Sequence, residues 1–519
     1  MSQQKHNSHH SSKQPVVVKS EKKQVTDLDK PQPPRPAPDD HEAWKAHWKA
    51  QNQPWRTEPE IDKERREYLA ERRAIKPDIE KGIYPFKDIK LSRADVEWLV
   101  ATHENGLGPV DWNDESQSKR EGIDLRGANL SGEDLSKLPL VRLQGGLEGL
   151  SWTFGTEEER MMAASHMGKS RLSGVQLQQA DLCGAQLKGA ILLRAQLQEV
   201  NLTGAQLQGA IIGNAQLRGA ILSEAQLQEA VLLLGELQEA HFVKAQLQGA
   251  LLGGAQLQKA VLSQANLQGA DLSEAQLQEA DLHEADLQES DLRRAHLEGT
   301  NLSNAKLGNQ RHIGPQLADV QWGDTNLAVV DWSQVTILGD EHEAKQKITS
   351  EGKRKEKSQR LKEYKTAVRA NRQLSVALQA QGLNEDAARF AYRAQLCQRG
   401  VLWYQGWRSW YKYLGSWFLA LLAGYGYKPG WTVIWYLLVI ASFAFGYYEV
   451  THLLHAQPYP LAWYEALILS VSSFHGRGFF QPVQNLGDPV AILASIEAVV
   501  GLIIEVSFIA TFTQRFFGK

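Results

Sequence analysis

The stretch AQLQGAIIGNAQLRGAILSEAQLQEA, Ala205 to Ala230, decides the fold. An apolar residue returns at every fifth position, Leu207, Ile212, Leu217, Leu222 and Leu227, and an alanine stands two residues before each. A period of five matches neither the 3.6 of an amphipathic helix nor the 2 of a flat strand. It fits a solenoid with a square coil of four five-residue sides. Leucine at the centre of each side and the small alanine before it then point inward and stack on the same residues one coil away. At a coil rise of about 4.8 Å, the spacing of paired strands, the main block makes about 7 coils and a rod on the order of 35 Å long.

Outward from this stretch, the repeats begin at about Gly122 in GIDLRGANLSGEDL and run to about Leu307. They are broken by GTEEERMMAASHMG, Gly155 to Gly168, which reads as a helical insertion of the kind solenoid loops tolerate. A second period lies on the first, because units alternate between AQLQ(G/E) and A(I/V/D/N)LXX. Similar outward residues therefore fall into columns. One holds Ile191, Ile211, Val231 and Leu251 before turning to Asp271; another holds Gln186, Gln206, Gln226 and Gln246. The glutamines suit amide ladders. The apolar column is either a partner or self-association face or β-branched residues suited to strand geometry. After Leu307 the pattern decays, and QWGDTNLAVVDWS, Gln321 to Ser333, is placed to cap the open end.

The units AQLQG, ANLQG, ADLCG and ADLQE closely resemble the A(N/D)LXX pattern of the pentapeptide-repeat family. That resemblance implies a right-handed quadrilateral β-helix and implies no single function.

The flanks differ in composition. Residues 1–60, polar and proline-rich around PQPPRPAPDD, are expected to be a disordered arm, and their histidines a solvated tail rather than a metal site. Residues 61–121 carry short helical patterns, with Ser92 as a cap and Gly106 as a stop, and read as an N-terminal cap to the rod, which itself occupies 122–340. Between 341 and 428, KSQRLKEYKTAVRANRQLSVALQAQ and EDAARFAYRAQLCQRGVLWYQGWRSWYKYL predict a helical hairpin broken at Gly382, with Asn384 capping the second helix. It resembles one tetratricopeptide-like unit. The first residues have no apolar core of a secretory signal, so membrane insertion is expected from within the chain.

Residues 429–519 supply that insertion. WTVIWYLLVIASFAFGYYEV and PVAILASIEAVVGLIIEVSFIATF each meet the roughly 20-residue length of a spanning helix, with tryptophans and tyrosines at the ends of the first. Arg408, Lys412 and Lys428 precede the first span and Arg515 and Lys519 follow the second, while the connector holds only Arg477. The positive-inside rule then places both termini and the rod in the cytoplasm, beneath a plasma membrane. Between the spans lies WYEALILSVSSFHGRGFFQP, Trp463 to Pro482, a half-length helix followed by Gly-Arg-Gly. Span, short helix, glycine loop and span resemble the potassium-channel pore domain, on Trp463 to Ser473, Ser472-Ser473, Gly476-Arg477-Gly478, Pro482 and IEAVVGLIIEV. The resemblance implies a homotetramer that conducts ions. Its filter would be Phe474-His475-Gly476-Arg477-Gly478, with arginine where the family has tyrosine and Phe479 where it has aspartate.

Four guanidinium groups around one axis repel cations unless paired. Anion preference, weak selectivity, arginines turned behind the backbone and a non-conducting descendant all stay open. Glu465 and Glu497 are the candidate partners of Arg477. Glu497 and Glu505 share one face of the second span with Gly501 midway, so they either line a pore, with Gly501 as a hinge, or form a structural pair. His475 either titrates as a gate or makes an ordinary hydrogen bond.

The chain is therefore expected to be multidomain: a β-helical rod, a helical hairpin and a bacterial two-span pore-loop domain, with lipid and ions as partners. The other reading is a membrane-tethered scaffold that conducts nothing. A net charge of -3 without a large basic block argues against nucleic acid, and the apolar and glutamine-faced rod argues against a duplex-DNA mimic. No nucleophile motif, phosphate loop or metal pair appears, and THLLH, Thr451 to His455, lacks the glutamate of a metalloprotease helix, so neither enzyme activity nor a cofactor is expected. Cys183 and Cys397 are too far apart in sequence to suggest a disulfide framework.

Overall fold

Backbone hydrogen bonding explains why the five-residue step persists. In the unit at Gln196, Gln196 N donates to Val175 O of the preceding coil at 2.9 Å, while Leu197 N and Glu199 N donate to Gln216 O and Arg218 O of the next at 2.7 and 3.0 Å. Val200 N closes the turn onto Leu197 O at 3.2 Å. Nearly every peptide group is thus satisfied by a neighbour twenty residues away or by its own turn, which is what a buried backbone requires. Parallel bridges repeat the relation from Ile191 to Ile211, Val231, Leu251 and Asp271. Along 170–306 of this computed structural model the pairing consists of isolated bridges, one residue per side, separated by turns. Leu207, Leu217, Leu227 and Ala205, Ala215, Ala225 are wholly buried, and the larger Phe242 is accommodated in the same stack.

The structure describes residues 35–516 apart from 148, 310, 350, 407–408, 428, 454–459 and 477–488. Two units are distinguished, 1–59 and 60–519. The first contains α1, His41–Ala50, inside the stretch expected to be disordered. Its physical basis is local: Asp40 accepts from Ala43 N at 2.9 Å, Trp44 stacks on Trp48, and the Arg56 guanidinium lies 3.5 Å from the Trp48 ring centroid. The second unit opens with α2, Lys63–Arg73, and α3, Arg93–Ala101. Ser92 and Asp95 form a reciprocal capping box, and Arg65 ties α2 to the buried Asp95. Leu91 N donates to Asn129 O at 3.0 Å, so this segment gives the first coil its backbone partner. The insertion starts earlier than the expected Gly155, with α4, Gly149–Phe154, ahead of α5, Glu157–Ala163, the latter capped by Thr156 and Glu159. Trp152 lies flat enough on the rod that a Cβ on Gly204, at φ +64°, would come within 2.3 Å of its ring.

The far end of the rod is closed by side chains. Trp332 is buried edge-on against Phe390, and Arg389 donates to its carbonyl. Gln381 accepts from Leu327 N at 2.8 Å and donates to Thr325 O at 2.7 Å. These groups belong to α7, Lys357–Ala380, α8, Asn384–Gln405, and the turn between them; α6, Gly339–Lys345, precedes them. The second hairpin helix was expected to run to Leu414, but Gly406, at φ +94°, ends it. A separate helix, α9, Trp410–Ala423, follows, because the aromatic-rich segment packs across the spans rather than along α7. The remaining helices are α10, Pro429–Leu453, α11, Trp463–Phe474, and α12, Pro489–Phe516. Portions of α10 and α12, Gly430–Leu453 and Pro489–Ile509, are long and apolar enough to cross a membrane.

Candidate functional site

The twelve residues of α11 rise about 18 Å at 1.5 Å each, short of the roughly 30 Å hydrocarbon thickness. This half-length helix packs against both long helices. Its N-terminus is finished by its own Glu465, whose carboxylate accepts from Ala462 N at 2.8 Å. At mid-length Ser470 contacts two neighbours: its hydroxyl lies 2.9 Å from the Ile440 carbonyl of α10 and within hydrogen-bonding distance of Glu497 of α12. Tyr447 donates to the other carboxylate oxygen of Glu497 at 2.7 Å, and Glu497 is 0% exposed. One carboxylate therefore joins all three helices. A buried acid with both oxygens engaged avoids the large cost of an orphaned polar group.

The C-terminal end of α11 is seated by shape. A Cβ on Gly501 would lie 2.1 Å from Phe474 O, so only glycine lets α12 approach this closely. Phe474, 1% exposed, packs with Ile440 and Ile504 and meets Tyr436 edge-on at 4.8 Å. Beyond it, His475 Nδ1 lies 2.7 Å from Val471 O. A carbonyl only accepts, so Nδ1 carries a proton, and Nε2 lies 2.9 Å from Tyr436 Oη. Glu505 lies 3.5 Å from the same Nε2. Gly476 turns at φ +63°.

The residues singled out from sequence are thus distributed as follows. Phe474, His475, Glu497, Gly501 and Glu505 gather at the α11–α12 contact; Ser473 is buried and Ser472 bonds back to Ile468 O at 2.8 Å. Arg477 and Gly478 lie outside the described residues. Tyr436, Tyr447 and Ser470 were not singled out; a hydroxyl within each apolar segment was the available signal. On the rod, Ile191, Ile211, Val231 and Leu251 form the expected column, with Ile211 and Leu251 exposed. Leu193, Leu233 and Leu234 extend the apolar patch. The extra leucines directly after the buried Leu192 and Leu232 were their signal. The glutamine amides bond diagonally between columns, as in Gln198 to Gln216 at 2.7 Å and Gln258 to Gln276 at 2.6 Å. Among the described residues no group of three or more His, Cys, Asp or Glu is placed to hold a metal ion.

At the rod end, Asp340 accepts from Leu317 N at 2.6 Å and is almost wholly buried. Burial pushes its carboxyl up to about 7, against the opposing pull of that amide and Arg293. Burial also raises the Cys183 and Cys397 thiols, which suits packing rather than reactivity.

The profile of the family described as Pentapeptide repeats matches residues 170–209, 201–232, 240–275 and 275–309. Comparison with curated proteins gives no match. Among solved structures, this chain is similar to HetL, a pentapeptide repeat protein involved in heterocyst differentiation regulation from the cyanobacterium Nostoc sp. strain PCC 7120. The identity is 26%, over 45% of this chain and 99% of that one, with a TM-score of 0.24. A second pentapeptide repeat protein from Nostoc PCC 7120, alr5209, is 34% identical over 18% of this chain and 69% of its own, with a TM-score of 0.10. Full-length QnrB1, a plasmid-mediated fluoroquinolone resistance protein, is 18% identical over 34% of this chain and 87% of its own, with a TM-score of 0.25. The residues matched by the profile are those along which bridges recur at a twenty-residue spacing. With the repeats matched in both sequence profile and register, this chain is a pentapeptide-repeat protein that carries two helices capable of spanning a membrane.

Proposed function

We propose that the chain is a subunit of a two-span pore-loop assembly, built as a homotetramer in a plasma membrane, that passes ions and carries a right-handed quadrilateral β-helix on its cytoplasmic side. The observation that carries this reading is the seating of α11, a helix too short to cross, between two helices that are long enough. Non-helical backbone at membrane depth is tolerated where protein or water satisfies it, as in a pore. Gly501 against Phe474 and Glu497 between Tyr447 and Ser470 supply a rigid seat for a filter at Phe474 to Gly478. In this reading Glu497 acts within one subunit, while His475 and Glu505 lie nearer the permeation path. Movement of the α7–α8 hairpin would reach α12 through α9.

Planar-bilayer recording of the full-length protein in asymmetric KCl, beside Arg477→Ala, tests the proposal. A reversal potential that follows one ion and changes in the variant supports permeation past the arginine. Absence of current from a verified tetramer sinks it.

The column Ile191, Ile211, Val231 and Leu251, exposed at Ile211 and Leu251, favours a second reading, a tethered scaffold that docks a protein on the rod. Ile211→Lys would then abolish partner capture, and the filter variant would leave capture intact.

A further inference from the structure

The oxygens around Glu497 need one more hydrogen than their hydroxyls hold. Tyr447 Oη lies 2.7 Å from Glu497 Oε2, Ser470 Oγ lies within hydrogen-bonding distance of Oε1, and the same Oγ is 2.9 Å from the Ile440 carbonyl. A carbonyl and an ionised carboxylate only accept, and each hydroxyl has one hydrogen to give. The chain from Tyr447 through Glu497 and Ser470 to Ile440 thus has three close oxygen pairs and two hydroxyl hydrogens. If Ser470 donates to Ile440 O, its Oγ faces Oε1 with no hydrogen between them. If it donates to Oε1, it faces Ile440 O in the same way. A proton on Oε1 completes the chain: Glu497 donates to Ser470, Ser470 to Ile440 O, and Tyr447 to Oε2. No charge competes for the acid. Among the described residues no ion pair reaches Glu497; His475 lies against Glu505, and Glu465 bonds back to Ala462 N. Glu497 is 0% exposed, where an unpaired anion costs far more than a neutral acid.

We propose that Glu497 is held as the neutral acid and that its proton is the link that positions α11 between the two long helices. Ser470 and Phe474 stand four residues apart on one face of α11. The bond from Glu497 to Ser470 therefore fixes the short helix one turn before the residue that abuts Gly501. Loss of the proton leaves a buried anion and one serine hydrogen for two acceptors, so α11 gives up its bond to α10 or to α12. Glu497 is thus a positioning residue, which acts on the filter through Ser470 and touches no ion. The inference rests on the reading of α10 to α12 as a pore-loop unit in a membrane, which supplies the dry surroundings, and does not require that the pore conduct.

The test is infrared spectroscopy of the full-length protein in lipid vesicles at about pH 7, well above the range in which an exposed carboxyl ionises. Subtracting the spectrum of Glu497→Gln should leave one carboxylic-acid C=O band per chain. Tyr447→Phe should move that band to higher frequency, because Oε2 loses its donor. Thermal unfolding in detergent gives a second readout. Glutamine keeps both roles, its amide nitrogen donating to Ser470 and its carbonyl accepting from Tyr447, so Glu497→Gln should unfold close to the parent. Glu497→Leu strands both hydroxyls and should unfold several degrees lower. An ionised Glu497 predicts no acid band and a glutamine variant that falls with the leucine one. Either result overturns the proposal, as does a band that Tyr447→Phe leaves in place. Planar-bilayer recording separates this inference from the pore: the acid band in a verified tetramer without current keeps the proton and sinks permeation, and current without the band does the reverse.

Discussion

The rod and the helical bundle bury leucines and isoleucines alike, but they achieve specificity by opposite means. In the rod every contact is made many times: Leu217 lies in a column with Leu197 and Leu237, and the hydrogen bonds of one coil recur in the next. In the bundle each contact is made once. Glu497 has one Tyr447 and one Ser470, and Gly501 has one Phe474. A repeated contact spreads stability along the chain, as expected for a quasi-one-dimensional solenoid. A singular contact concentrates it where a small shift can be transmitted.

The most damaging test of that contrast is Leu217→Ala. A wholly buried leucine fixed between identical neighbours has little freedom to collapse, so the loss should be about 2 to 5 kcal/mol. Thermal unfolding of the full-length variant beside Leu227→Ala checks it, and the two should agree closely because their surroundings repeat. Unequal losses would break the claim of equivalence.

A second test falls on the junction, which shares neither character. The carboxyl of Asp340 titrates at about 7 in the fold, above its ordinary value near 3.8. The folded state therefore binds the proton more tightly than the unfolded chain. Its contribution to stability is present in full below about pH 4 and declines as pH rises to about 7, by at most about 1.4 kcal/mol per unit. Asp340→Asn keeps an acceptor for Leu317 N and removes the titration. Unfolding measured from pH 4 to 8 should show the variant gaining on the parent up to about pH 7 and level above it.

These differences explain what could be read from the chain alone. Leu207 and Ala205 announce their environment because the same pair recurs five residues on, so the coil, its buried faces and the Ile191 column followed from spacing. The short helix Trp463 to Phe474 followed from its length between two longer apolar runs. Its seat did not. Ser470 and Glu497 are 27 residues apart, and Tyr447 is 50 from Glu497, with no periodic pattern to connect them. The Gln198 to Gln216 diagonal escaped for a related reason: a column places like beside like, whereas the amide reaches to a different position of the next coil. Helix α9 was hidden because its aromatic residues continue the composition of α8, with Gly406 the local break. Helix α1 depends on Arg56 folding back over Trp48, which composition does not register.

Singularity in the bundle can be sharpened with two glycines. A Cβ on Gly501 would strike Phe474 O at 2.1 Å, a backbone atom, while one on Gly446 would meet the Leu493 side chain at 3.4 Å. Gly501→Ala should therefore cost about 1 to 3 kcal/mol as an overpacked contact. Gly446→Ala should be close to neutral. Thermal unfolding in detergent compares them, and equal costs would mean that the α11–α12 seat is no tighter than the rest of the bundle.

The smallest effect probes repetition in the turns. Every side of the coil passes through a left-handed residue, glycine at 209 with φ +62° and glutamate at 199 with φ +57°. A side chain there costs about 1 kcal/mol relative to glycine. A Cβ on Gly209 meets nothing within 4 Å, so Gly209→Ala isolates the backbone penalty and should lose about that amount. Glu199→Gly should gain a similar amount, less the small worth of the exposed bond from Gln179 to Glu199 at 2.8 Å. If the coils are equivalent, the double substitution should be nearly silent in thermal unfolding, because the two changes act on separate turns under the same conformational rule. A double variant far from neutral would mean that neighbouring coils hold their turns by different means, and the comparison between a repeated rod and a singular bundle would have to be drawn within the rod itself.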